Sequence, residues 1–148
     1  MIREAREDCV FCKIISGQAP VSMVYEDDQV AVFTPLECVT PGHLLVIPKE
    51  HAAYMADVRD ETIMHIMKVT KRMGDAIRKS GFSCEGLNLF LADGEAAGQE
   101  VFHFHLHVFP RYAGDGFGLK FGPTGLIKMS RPEMDAVAKK VRSQLGPR

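Results

Sequence analysis

The sequence has little of what several large protein classes require. Its 148 residues include only four cysteines at irregular spacing, which is too few for a disulfide scaffold. Its 18 basic residues are outnumbered by 19 acidic ones, and this balance argues against a nucleic-acid coat or an anionic-membrane binder. No apolar run approaches the roughly 20 residues of a membrane span, and residues 1–8 lack the apolar stretch of a signal peptide. We therefore expect a cytoplasmic protein with no nucleic-acid partner and no membrane partner.

What is present indicates a single globular domain over residues 1–148. Apolar residues make up 46% and charged residues 25% of the chain, both near globular averages. The patterns predict a short helix at 10–16 and a long helix at 59–80 with Asp60 as its N-cap. They also predict a glycine-rich loop at 113–125 and a closing helix at 134–145. Strands are predicted at 22–26, 29–34, 43–47, 87–91 and 102–110. This irregular order favours an α+β domain on an antiparallel sheet.

A row of alternating histidines is the most informative segment. On a strand, His103, His105 and His107 would share one face while the apolar residues between them pack into the core. The ends of the row lie about 13 Å apart along a strand, too far for one metal ion with bonds of about 2 Å, although neighbouring histidines could share an ion. The other chemistry is nucleophilic: the middle imidazole attacks phosphorus, and its neighbours orient it and stabilise charge on the substrate.

Two further segments support chemistry of this kind. The loop at 93–99 is rich in small residues, which let backbone amides approach a phosphate. Cys9 and Cys12 form a C-x-x-C pair, which in a cytosolic chain indicates metal or redox chemistry. A closed zinc site needs two more ligands, and the spacing leaves four candidates open: His43, His51, His65 and His103.

The segment His-Phe-His-Leu-His-Val-Phe at 103–109 resembles the signature of the histidine-triad (HIT) family, in which three histidines alternate with apolar residues. Residues 8–15, 40–51 and 93–111 also resemble that family, and the similarity extends over about residues 8–118. The resemblance implies a five-stranded antiparallel sheet with a long helix and a C-terminal helix, commonly paired into a homodimer. It implies a nucleotide hydrolase or nucleotidyl transferase acting at the α-phosphate, commonly of adenosine nucleotides such as phosphoramidates, aminoacyl-adenylates or dinucleoside polyphosphates.

The resemblance also implies roles for individual residues. His105 matches the nucleophile, His107 the residue that contacts the phosphate and assists the leaving group, and His43 a supporting histidine. Gln99 matches a glutamine that contacts the phosphate or its bridge. The apolar slot for the base corresponds to Val10, Phe11, Ile14 and Phe33. Structural zinc would be held by Cys9, Cys12, His51 and His103, so that His103 also supports the nucleophile.

Two positions depart from the family pattern. Pro35 stands where Asp or Asn usually binds the ribose, and Ala92 stands where Asn or Gln often lies near the phosphate. Neither side chain can form those hydrogen bonds, and each lost contact costs about 1–3 kcal/mol unless it is replaced. Thr34 is one candidate for a replacement contact. The departures leave open a second function, a zinc-containing nucleotide-binding or regulatory module with little turnover.

Overall fold

The computed structural model describes residues 6–147, so the leaderless start predicted for residues 1–8 lies largely outside the described residues. The chain divides into two compact units, the first ending at Gly116 and the second beginning at Phe117. The single domain over residues 1–148 therefore stays a prediction. Within the described part of the chain, no helix combines the length and the apolar character needed to cross a membrane.

The first unit is built on one five-stranded antiparallel sheet, as predicted. Its strands are β1 (Met23–Glu26), β2 (Val30–Phe33), β3 (Leu44–Pro48), β4 (Gly86–Phe90) and β5 (Leu106–Arg111). Their order in the sheet is β1-β2-β3-β5-β4, and every neighbouring pair is antiparallel. This order places β5, which carries the last histidine of the row, between β3 and the edge strand β4.

Two helices cover opposite faces of this sheet. Helix α1 (Val10–Ile15) buries Phe11 and Cys12 against Phe33 and neighbouring apolar residues of β2 and β3. Helix α2 (Asp60–Lys79) presents a face of buried apolar residues to the opposite side of the sheet, including Ile66, Val69, Met73 and Ile77. The apolar periodicity of 3.6 residues produces this face.

Two helices begin at residues other than the predicted ones. The N-cap position of α2 is occupied by Arg59, whose side chain makes no capping hydrogen bond, and Asp60 is the first helical residue. An acidic residue in the first turn still interacts favourably with the helix dipole. In the second unit, α3 (Arg131–Ser143) begins before the predicted Met134, because Ser130 and Glu133 form a capping box.

Strand β5 begins at Leu106, four residues later than predicted. The register pairs Val46 with Leu106, so its continuation would set Phe104 opposite Pro48. Proline has no backbone N–H to donate to a ladder, and the carbonyl of Pro48 accepts instead from a ring nitrogen of His103. His103 and His105 therefore lie in the segment before the strand. The apolar half of the alternation is confirmed, since Phe104, Leu106 and Val108 all lie in the core.

Candidate active site and metal centre

The structure brings the last two histidines of the row, His105 and His107, close to His43, which directly precedes β3. The ring centroids of His105 and His107 are 5.1 Å apart. His43 lies beside His107, with 5.2 Å between their ring centroids. His103 is fully buried and points toward the thiols of α1 instead. The row thus splits into His105 and His107, called the reactive pair after the role predicted from the sequence, and a fully buried His103 behind them.

The local backbone fixes the protonated nitrogen of His105. Its Nδ1 lies 2.7 Å from the carbonyl oxygen of His103. A carbonyl can only accept a hydrogen bond, so the hydrogen of the neutral ring is on Nδ1 and the lone pair is on Nε2. Burial lowers the pKa of His105 below its usual value, which favours that neutral form. The Nε2 atom is therefore available as a nucleophile.

A second chain of hydrogen bonds fixes the protonated nitrogen of His107. The amide N–H of Val39 donates to Nδ1 of His43 at 3.0 Å, so the hydrogen of neutral His43 is on Nε2. That Nε2 lies 2.9 Å from Nδ1 of His107, which must accept. The hydrogen of His107 is then on Nε2. Burial, followed by the neighbouring rings of His105 and His43, lowers the pKa of His107 to about 4.

Aromatic residues line one side of the reactive pair. Phe11 lies edge-on to His105 with a centroid separation of 5.2 Å, and edge-on to Phe33 at 5.5 Å. Ile14 packs against the same apolar cluster, whereas Val10 is 46% exposed. Thr34 follows Phe33 directly and is exposed. Phe11 is thus the member of the predicted base slot that contacts the predicted nucleophile.

Gln99 is buried and its amide is occupied within the chain. Its Oε1 accepts the N–H of Gly94 at 2.8 Å, and its Nε2 donates to the carbonyl oxygens of Ala53 at 2.7 Å and Val101 at 3.1 Å. Both amide hydrogens therefore hold the loop at 93–99 in place. A contact between Gln99 and a phosphate stays a prediction, and it would require one of these bonds to be exchanged.

Four buried side chains form a cluster that could hold a metal ion, here called the metal centre, beside the reactive pair. The ligand atoms of Cys9, Cys12, His51 and His103 all lie within 4.8 Å of one another. Nδ1 of His103 is 3.5 Å from Sγ of Cys9 and 3.6 Å from Sγ of Cys12. Nδ1 of His51 is 3.3 Å from Sγ of Cys12. The spacing left four histidines open as ligands, and two of them lie elsewhere. His65 forms a hydrogen bond with Asp27 at 2.6 Å, and His43 forms one with His107.

These distances fit a tetrahedral zinc ion. Zinc–sulfur bonds of about 2.3 Å and zinc–nitrogen bonds of about 2.0–2.1 Å at tetrahedral angles separate sulfur from nitrogen by about 3.5 Å. The orientation of His103 also fits, because its Nε2–H donates to the carbonyl of Pro48 at 2.8 Å and leaves Nδ1 for the ion. Two thiolates and two imidazoles form a set that suits zinc and does not suit calcium or magnesium.

Comparison with known proteins gives consistent results. The family model described as HIT domain matches residues 16–114. The crystal structure of a HIT-family member from Bacillus subtilis matches with a TM-score of 0.86 at 36% identity, covering 96% of this chain and all of that one. A zinc-bound histidine triad family protein from Mycobacterium smegmatis matches with a TM-score of 0.72 at 37% identity, covering 92% and 96% of the two chains. Adenylylsulfatase HINT3 of Arabidopsis thaliana is 36% identical over 106 residues, which are 72% of this chain and 53% of that protein.

Proposed function

The chain belongs to the HIT family, and from that premise we propose that it hydrolyses or transfers the nucleotidyl group of adenosine nucleotides by reaction at the α-phosphate. The observation that supports this proposal most directly is the opposite tautomer of two adjacent histidines. His105 presents a lone pair at Nε2, and His107 presents a hydrogen-bond donor at Nε2. A phosphoryl centre needs both groups, a nucleophile on phosphorus and a donor for the oxygen that gains charge.

In the first step, Nε2 of His105 forms a bond to the α-phosphorus while the bond to the leaving group breaks. The electron pair of that bond departs with the leaving group, and the enzyme holds a nucleotidyl-histidine. The Nδ1–H bond to the carbonyl of His103 stabilises the positive charge that develops on the ring. His107 donates from Nε2 to a phosphate oxygen or to the departing atom.

In the second step, water attacks phosphorus and the phosphorus–nitrogen bond breaks. The bonding electrons return to Nε2 of His105, and a proton of the attacking water passes to solvent. Another acceptor in place of water would make the reaction a transfer. The relative named adenylylsulfatase supports an adenylyl substrate, and Phe11 beside His105 offers an aromatic edge near the base.

The substrate differs in its anchoring from the common family pattern. Pro35 and Ala92 offer no side-chain hydrogen bond, and both amide hydrogens of Gln99 are engaged within the chain. We propose that Thr34, exposed directly after β2, contacts the sugar in place of the usual Asp or Asn. Phosphoramidates, aminoacyl-adenylates and dinucleoside polyphosphates all remain compatible with the attacking group.

We propose that the metal centre holds structural zinc through Cys9, Cys12, His51 and His103. Zinc bound by these four side chains would stabilise the fold and would have no open coordination position for a substrate. Its consequence for the reaction passes through His103, whose carbonyl accepts from the nucleophile. A reducing compartment such as the cytoplasm suits these ligands, because the thiols must stay unoxidised.

A panel of adenylyl substrates tests the proposed reaction. We expect AMP release from at least one of three substrate classes: a phosphoramidate, an aminoacyl-adenylate analogue or a dinucleoside polyphosphate. Samples quenched by denaturation at alkaline pH and analysed by mass spectrometry should contain adenylyl-His105, because the mechanism passes through a phosphorus–nitrogen bond, which breaks in acid and survives in base. Tight AMP binding without product from any substrate would contradict the proposal and support the nucleotide-binding module instead.

We also propose that two copies pair into a homodimer. Strand β4 lies at the edge of the sheet, and its Leu89 and Phe90 are 47% and 45% exposed. An open edge strand offers unpaired backbone groups to a second chain. Sedimentation equilibrium at micromolar concentration should give twice the chain mass. The mass of one chain over the whole concentration range would contradict this proposal.

A further inference from the structure

The turn that joins β2 to β3 is tied to the far end of β5 by one buried hydroxyl. Thr40 is 2% exposed, and its Oγ1 donates to the carbonyl oxygen of Pro110 at 2.6 Å. The turn also lies close against β5 at Gly42, where an added Cβ would come within 3.2 Å of Pro110. Thr40 belongs to neither the histidine row nor the metal centre.

This turn carries the amide that decides the tautomers of His43 and His107. The N–H of His43 donates to the carbonyl of Thr40 at 3.1 Å, and the N–H of Val39 donates to Nδ1 of His43 at 3.0 Å. The bond between His43 and His107 does not choose a tautomer by itself, because either ring could donate across it. The Val39 amide makes the choice, since a backbone N–H can only donate.

The alternative arrangement would reverse the polarity of the site. Without the Val39 amide, His43 could carry its hydrogen on Nδ1 and accept at Nε2. His107 would then donate from Nδ1 and present a lone pair at Nε2. A lone pair facing a phosphate oxygen or a departing oxyanion repels it, whereas an N–H stabilises it.

We propose that Thr40 is a positioning residue for the reaction: by fastening the turn at 39–43 to β5, it keeps the Val39 amide on His43 and so keeps the donor of His107 directed at the leaving group. This inference rests on the proposed function for its chemical consequence. As the phosphorus–oxygen bond breaks, its electron pair remains on the departing oxygen. The hydrogen bond from His107 strengthens most for the more basic oxyanions.

The experiment compares Thr40→Val, which removes the hydroxyl at nearly constant shape, with Thr40→Ser, which retains it. Each variant is assayed on two aryl esters of AMP, the 4-nitrophenyl ester with a weakly basic leaving group and the phenyl ester with a more basic one. We expect Thr40→Val to lower kcat on the phenyl ester by about 10- to 100-fold, less than the roughly 100- to 1,000-fold that follows outright loss of a donor. We expect little change on the 4-nitrophenyl ester, unchanged KM on both esters, and recovery in Thr40→Ser.

The nitrogen-15 chemical shifts of the imidazoles provide a readout independent of activity. In the native chain, His43 and His107 should both appear as neutral rings protonated at Nε2, and Thr40→Val should shift both toward the other tautomer. Equal loss on both esters with unchanged tautomers would overturn the proposal and leave Thr40 a structural residue. A native chain whose His43 is protonated at Nδ1 would overturn it even if Thr40→Val did not fold. If the native chain cleaves neither ester and releases AMP from none of the three substrate classes, the proposed function fails, while the nitrogen-15 shifts still decide the role of the turn.

Discussion

We expect replacement of His105 with alanine to lower kcat/KM by on the order of 10⁴-fold or more on every substrate that the native chain cleaves. The alanine side chain has no atom that can bond to phosphorus, so the covalent route is lost. His107 and His43 keep their contacts, because their hydrogen bonds run to each other and to Val39. Steady-state assays of AMP release with native and variant protein measure the effect, and the adenylyl-histidine detected by mass spectrometry should be absent from the variant.

A matched control separates this loss from the general effect of removing an imidazole. His65 lies on α2, where its Nε2 bonds Asp27 and touches none of the reactive histidines. We expect His65→Asn to release AMP at the native rate. His105→Ala with full activity and native folding would show that the nucleophile is a different group.

The sheet was largely predictable because its signals are local. Alternation and turn residues place the ends of β1, β2, β3 and β4 within one residue of those observed. The start of β5 was not predictable in this way, because it depends on the partner strand. Pro48 of β3 ends the ladder, and only the register shows that Phe104 would have stood opposite it.

The site was predictable in its residue types and less so in its contacts. Alternation separated the core residues Phe104, Leu106 and Val108 from the histidines between them. The protonated nitrogen of His107 was not predictable in this way, because it depends on His43, which lies 64 positions away. The hydrogen bond from Thr40 to Pro110 spans 70 positions, and no local sequence pattern around Thr40 predicts it.

The contacts of Gln99 were not predictable for the same reason, since its nearest acceptor belongs to Ala53. Spacing alone likewise left open which two histidines complete the metal centre, because the pairing of β3 with β5 in the folded sheet brings His51 and His103 beside the C-x-x-C pair.

Removing bound zinc should lower the stability of the first unit and the rate of the proposed reaction. The four candidate ligands lie in α1 and its N-cap, in the segment after β3 and in the segment before β5, so a bound ion would cross-link three separate parts of the chain. A ligand present at 1,000 times its dissociation constant stabilises the folded state by about 4 kcal/mol. For a chain of this length, that loss lowers Tm by about 10 °C. Differential scanning calorimetry of the native, chelator-treated and zinc-reloaded protein measures it.

Metal analysis and two cysteine variants, one inside and one outside the cluster, complete the test. Protein purified without added zinc should contain one zinc ion per chain, and Cys12→Ser should contain much less and show the lower Tm, since a hydroxyl is a poor zinc ligand compared with a thiolate. Cys38→Ser serves as the control, because Cys38 is exposed and lies outside the cluster. A native chain without metal, or a chelator-treated chain with an unchanged Tm, would show that the two thiols and two imidazoles hold their positions unaided. The carbonyl of His103 would then owe its alignment with the nucleophile to the bond between His103 and Pro48 alone.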